Sequence, residues 1–179
     1  PRASDEAPYL IPIRVALFSE AGQQLLKSER TLLLTATTQS FVFNDIDAEP
    51  IPSLLRDFSA PVILDFDYTP EQLTVLLANE SDAFNAWEAG QRLASQLILS
   101  AAEAIAAGQT PVWPESFANA VRRLLQQQAT RGAAFVAEAL TLPGESTLAE
   151  MLDVVDPDAL HAARNGLRRF LAEELEGEF

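Results

Sequence analysis

The chain has no cysteine, and only one histidine, one methionine and one lysine (Lys27) in 179 residues. Without cysteine there is no disulfide and no thiolate nucleophile or ligand, a composition that fits a cytoplasmic protein. No apolar run approaches the ~20 residues needed to span a bilayer. The opening "PRASDEAPYL" has neither the basic nor the apolar segment of a secretion signal. Positive charge is scarce too: 12 basic residues stand against 26 acidic ones, a net charge of −14. Phosphate backbones and anionic bilayers are held by clustered Lys and Arg. Here the only tight basic pairs are Arg122/Arg123 and Arg168/Arg169, which at helical spacing read as solvated faces paired with nearby carboxylates. Nucleic acid and membrane are not expected partners.

What is present is apolar residue in quantity, 48% of the chain, enough for one large domain or two small ones. Up to Tyr68 it recurs with period two, as on half-buried strands. Ile11, Ile13, Val15 and Leu17 alternate with Pro12, Arg14, Ala16 and Phe18. Phe41 and Phe43 flank Val42, and Val62, Leu64, Phe66 and Tyr68 alternate with Ile63, Asp65 and Asp67. "EAGQQ" supplies a turn through Gly22, and Pro50, Pro52 and Pro61 suit strand edges and connections. Short strands with turns between them predict an antiparallel β-sandwich.

At Thr69 the period changes. "TPEQ" offers a hydroxyl N-cap, proline at the first helical position and Gln72 three residues on, a capping box. The expected division is therefore a β-sandwich over 1–68 and an all-α array over 69–179. Phe84, Trp87, Gly90, Ala94, Leu97, Ile98, Ala101 and Ile105 form one helical stripe, ended by Gly108. Phe117, Val121, Leu124 and Leu125 form another after "PVWPES". Shorter helices are expected around Phe135–Leu140 and Leu148–Leu152, the latter capped by Thr147 with Glu150 at N3. Asp156 and Pro157 start a last helix that buries Leu160, Ala163, Leu167, Phe170 and Leu171. Short helices on short loops suggest stacked pairs as in helical solenoids, without a fixed-period repeat.

Chemistry-bearing motifs are few. His161 is the lone imidazole and no H-E-x-x-H is present, whereas a zinc site takes three or four His, Cys or carboxylate ligands. His161 lies one residue past the Leu160 stripe, a structural position at a helix flank. "LPGESTL" approaches a serine turn, but Leu148 stands where the second glycine belongs. The seven glycines are scattered, with no G-x-G-x-x-G and no P-loop. Asp65 and Asp67 share one strand face and could work as acid and base, yet opposite Leu64 and Phe66 they read as the solvated side of a sandwich strand. Trp87 is expected in the core. No catalytic, cofactor-binding or metal-binding residue is assigned.

The stretches "PSLLRDFSAPV", "FNAWEAGQRLA", and "LTLP" followed by "VVDPDALHAAR" closely resemble successive parts of bacterial aminopeptidase N, the zinc-dependent alanyl aminopeptidases of the gluzincin class. The resemblance runs from about Tyr9 to Leu175. It implies four domains in the family: a β-saddle, a thermolysin-like catalytic domain, a small Ig-like β-sandwich and a helical superhelix. This chain is similar to the third and the start of the fourth, so the sandwich is expected truncated at its N-terminus and the superhelix cut short. The family's zinc helix, distant glutamate ligand, catalytic tyrosine and amine-binding motif have no match here. No functional residue carries over and no cofactor is expected in the fragment, with zinc implied for the parent.

The leading expectation is a non-catalytic structural part of a cytoplasmic aminopeptidase. Its partners would be the parent's catalytic and remaining helical domains, with peptides as the parent's substrates. The alternative is a free-standing protein-binding module, and a third reading is an independent hydrolase using Asp65 and Asp67. An open sheet edge and a cut helical array also lead us to expect self-association, since "PRASDEAP" makes a poor covering strand.

Overall fold

The structure, a computed structural model, describes residues 9–178; the "PRASDEAP" segment lies outside them. The chain falls into two compact units, Pro1–Asp67 and Tyr68–Phe179. In the first, β1 (Ile11–Phe18) is the central strand of an antiparallel sheet in the order β2 (Arg30–Leu34), β1, β3 (Ile51–Leu54). Residues 11–15 of β1 pair with β2 and residues 15–18 with β3. The register puts Ile13 opposite Leu32 and Val15 opposite Leu54, so the odd positions of β1 share one apolar face. Val15, Leu17 and Leu26 form the core there, with Leu25, Leu32, Phe43, Ile46 and Leu54 packed on it.

Proline in a central strand removes a ladder donor, and the stagger of the sheet explains why Pro12 is tolerated. Arg14, two residues on and therefore facing the same way, sends its N–H to Ser59 Oγ at 3.0 Å, away from β2. The donor Pro12 lacks would have pointed to that side too, where β3 does not reach. Gly22, at φ 77°, makes the turn after β1, with its N–H donating to the Ser19 carbonyl.

After β3, three non-glycine residues take left-handed backbone within four positions: Leu55, Asp57 and Phe58. Each costs on the order of 1–2 kcal/mol. Asp57 is tied to the Arg14 guanidinium, which also reaches Glu29, and Glu29 Oε1 meets the buried Arg56 at 3.0 Å. The ion network holds the turn against its strain.

The second unit is helical: α1 (Pro70–Asn79), α2 (Ala83–Ala106), α3 (Glu115–Gln126), α4 (Gln128–Arg131), α5 (Ala133–Ala139), α6 (Glu145–Ala149) and α7 (Pro157–Glu174). Thr69 Oγ1 accepts from the Gln72 N–H at 3.3 Å and Gln72 Oε1 accepts from the Thr69 N–H at 3.1 Å, the complete capping box. Asp82 caps α2 and Asp156 caps α7 by accepting from the N–H three residues on. Gly108, at φ 73°, ends α2. The buried face of α2 is made of small residues and a few large ones: Ala86, Ala89, Gly90, Leu93, Ala94, Ile98 and Ala101. Small residues let α1 and α7 approach closely. A Cβ on Gly90 would stand 3.1 Å from Leu77 Cδ1, and one on Gly166 of α7 would stand 3.0 Å from Trp113 Cζ2.

Four local expectations are corrected. Phe41–Phe43 and Val62–Tyr68 belong to no strand. Leu64, Phe66 and Tyr68 are half-buried between exposed neighbours, so the alternation marks an extended chain with one covered side. It does not supply the neighbour that a ladder needs. The helix at 145–149 starts from Gly144, which leaves Thr147 inside it, not at its cap. Trp87 is half-buried beside Phe84, with ring centroids 5.6 Å apart, because Ala86 and Gly90 hold the innermost line of α2.

Candidate functional site

Most side chains singled out for chemistry stand apart. Asp65 and Asp67 are exposed on the extended segment before α1. His161 lies exposed on α7, its Nδ1 2.8 Å from Glu145 Oε1 and its Nε2 2.7 Å from Asn165 Nδ2. With Asn165 donating to Nε2, the ring donates from Nδ1 to Glu145. Both nitrogens are then engaged, Nδ1 bracing α6 against α7 and Nε2 held within α7. Among the described residues, no group of three or more His, Asp or Glu is placed to hold a metal ion, and the one imidazole offers no free nitrogen, so these residues do not fit zinc.

The buried charges are structural. Glu80, wholly buried at the α1–α2 turn, accepts from the Asp82 N–H at Oε1 (2.7 Å), and its carbonyl accepts from Arg131. Burial pulls the Arg131 guanidinium below its ordinary value, while Glu80 holds it up. Burial also pushes the Tyr68 phenol up, against the opposing pull of Arg92, whose guanidinium lies 5.5 Å from the ring centre. The Arg131–Glu80 and Arg92–Tyr68 contacts, like the Arg14–Glu29–Arg56 network, join residues far apart in sequence, and no local motif announces them.

Each unit holds a cavity among its described residues. One, of about 300 Å³, is lined in the sheet unit by Leu25, Leu26, Lys27, Arg30, Asn44 and Asp45 among others. The other, of about 10 Å³, lies among Leu77, Gly90, Phe117, Val121 and Leu142 in the helical unit, room for a water at most. The connection before α6 is fixed to two helices: Gln91 of α2 donates to the Thr141 carbonyl at 2.8 Å, and Arg164 of α7 donates to the Pro143 carbonyl at 2.7 Å. The connection is thus braced from both sides.

An Ig-like part followed by stacked helices is the class that the comparisons return. Residues 1–67 match a family model described as "Domain of unknown function (DUF3458) Ig-like fold", and residues 70–179 match "Domain of unknown function (DUF3458_C) ARM repeats". The chain belongs to this family. It is similar to aminopeptidase N of Escherichia coli (strain K12), with 33% identity over 99% of this chain and 21% of the relative. It is also similar to aminopeptidase N of Caulobacter vibrioides, with 41% identity over 87% of this chain and 18% of the relative. Among solved structures, Legionella pneumophila aminopeptidase A in complex with aspartic acid aligns with TM-score 0.77 and 30% identity, over 94% of this chain and 19% of that one. The expected resemblance to aminopeptidase N is thus borne out, and the chain spans about a fifth of the length of these relatives.

In the described residues, no helix is long and apolar enough to cross a membrane.

Proposed function

We propose that the chain is a non-catalytic scaffold segment of a zinc-dependent, cytoplasmic aminopeptidase, with a β-part at 1–68 and a helical part at 69–179. The observation that carries this reading is the match to aminopeptidase N along 99% of the chain and only 21% of the relative. The chain itself contributes no catalytic, cofactor-binding or metal-binding residue in this account. In the longer protein, zinc held by another region would activate water against the first peptide bond of a peptide substrate. This chain's own contribution is shape and stiffness: capped helices and the braced connection before α6 form a wall that limits which peptide ends reach that region. Its partners are the other regions of the same polypeptide. Self-association of the isolated segment belongs to the same proposal, since β2 is an outer strand with Thr31 exposed and Leu33 48% exposed.

The test is an exchange. This chain is put in place of the segment it matches in the Caulobacter vibrioides relative, and hydrolysis of an alanyl chromogenic substrate is measured. Retained turnover supports the proposal, and a folded but inactive exchange product contradicts it.

A further inference from the structure

The connection between α6 and α7 carries three exposed large apolar side chains within five residues: Met151 (59% exposed), Val154 (86%) and Val155 (37%). Their exposure does not come from a loose loop. The Met151 and Leu152 N–H groups donate back to Leu148 and Ala149, Leu148 is fully buried, and Asp156 caps α7. His161 and Glu145 brace the two helices beside it. Interleaved with them along the chain are four exposed carboxylates, Glu150, Asp153, Asp156 and Asp158. Exposed apolar side chains on an ordered connection, interleaved with carboxylates, have the make-up of a protein contact surface.

We infer that this connection is a docking surface for another region of the same longer polypeptide, one that offers an apolar hollow bordered by Lys and Arg. The inference rests on the proposed function and names the contact by which the scaffold would be held. Two observations select this occupant. Three side chains supply on the order of a few hundred Å², short of the roughly 800 Å² per partner of a stable independent complex. A tethered partner needs no such area, because the tether raises its effective concentration to about millimolar, and the relatives are about five times longer than this chain. A second copy is disfavoured by charge: it would bring the same four carboxylates against these, within a chain of net charge −14.

The absence of cysteine makes the test direct. Val154→Cys is introduced into the isolated chain and into the exchanged Caulobacter polypeptide, and maleimide labelling rates are compared over the background without the added thiol. Val112→Cys, at a position 89% exposed and outside the patch, is the control. The expected result is fast labelling of both thiols in the isolated chain. In the longer polypeptide, Val154→Cys should slow by about tenfold or more while Val112→Cys stays fast. Equal labelling of Val154→Cys in the two contexts overturns the inference. If the whole-segment exchange does not fold, carrying only residues 150–156 into the relative gives the same readout. Alanyl-substrate turnover of the same polypeptide separates the two ideas. An active enzyme with an unprotected thiol removes the docking surface alone, and a protected thiol in an inactive polypeptide removes the proposed function alone.

Discussion

At the residue scale, stability rests on a few contacts whose loss can be sized. Thr69 is one. Its side chain accepts from Gln72, and the Glu71 backbone N–H first and the Thr69 hydroxyl second hold the Glu71 carboxyl below the ordinary glutamate range. Thr69→Ala should cost about 0.5–2 kcal/mol in urea unfolding at neutral pH. A group whose folded pKa is depressed adds stability above its unfolded pKa and loses it as pH falls through the folded value. The penalty of Thr69→Ala should therefore be smaller at pH 3 than at pH 7. Gly166 is another such residue. A methyl there meets the Trp113 ring, which stacks on Phe170 at 6.5 Å. Gly166→Ala should destabilise by roughly 1–3 kcal/mol through overpacking, against a helix-propensity gain of about 1 kcal/mol. Equilibrium unfolding with tryptophan fluorescence reads both the penalty and the displaced ring. Leu167→Ala, at a position with no exposure, should cost about 2–5 kcal/mol. Half-buried Trp87→Ala should cost less than the 3–5 kcal/mol typical of a fully buried tryptophan.

At the element scale, the long helices were legible, while α4, the start of α6 and much of the sheet were not. "TPEQ" and "DVVDPDAL" announce α1 and α7 because a cap and its target are three residues apart, so the whole device sits in one short window. "RTLLL" and "IPSL" do not announce β2 and β3. One lacks alternation and the other contains proline, and both are outer strands chosen by the register of β1. "FVF" and "VILDFDY" alternate but form no strand. The ion network of Arg14, Glu29, Arg56 and Asp57 spans up to 43 residues and was equally out of reach. For the candidate site, His161 was placed on a helix flank from its offset to Leu160, but its partner Glu145 lies 16 residues away. The braced connection before α6 gives an element-level expectation. Arg164→Ala leaves the Pro143 carbonyl without that donor, so amides of residues 140–148 should exchange hydrogen faster while α2 stays protected. Unchanged exchange at 140–148 would show that Gln91 alone holds the segment.

At the scale of the whole molecule, an Ig-like part and an ARM-repeat part share one chain that is a fifth of its relatives. The account assigns this chain to support, with chemistry and zinc in other regions of the longer protein. That division makes a firm demand of the chain alone. The most direct measurement is an alanyl-substrate assay on the purified chain, run with and without added zinc, with bound metal determined on the same sample. The account predicts no turnover and no stoichiometric zinc, because the sole imidazole is engaged at both nitrogens and no thiol exists. Zinc-dependent turnover that follows the chain through repeated purification would contradict it.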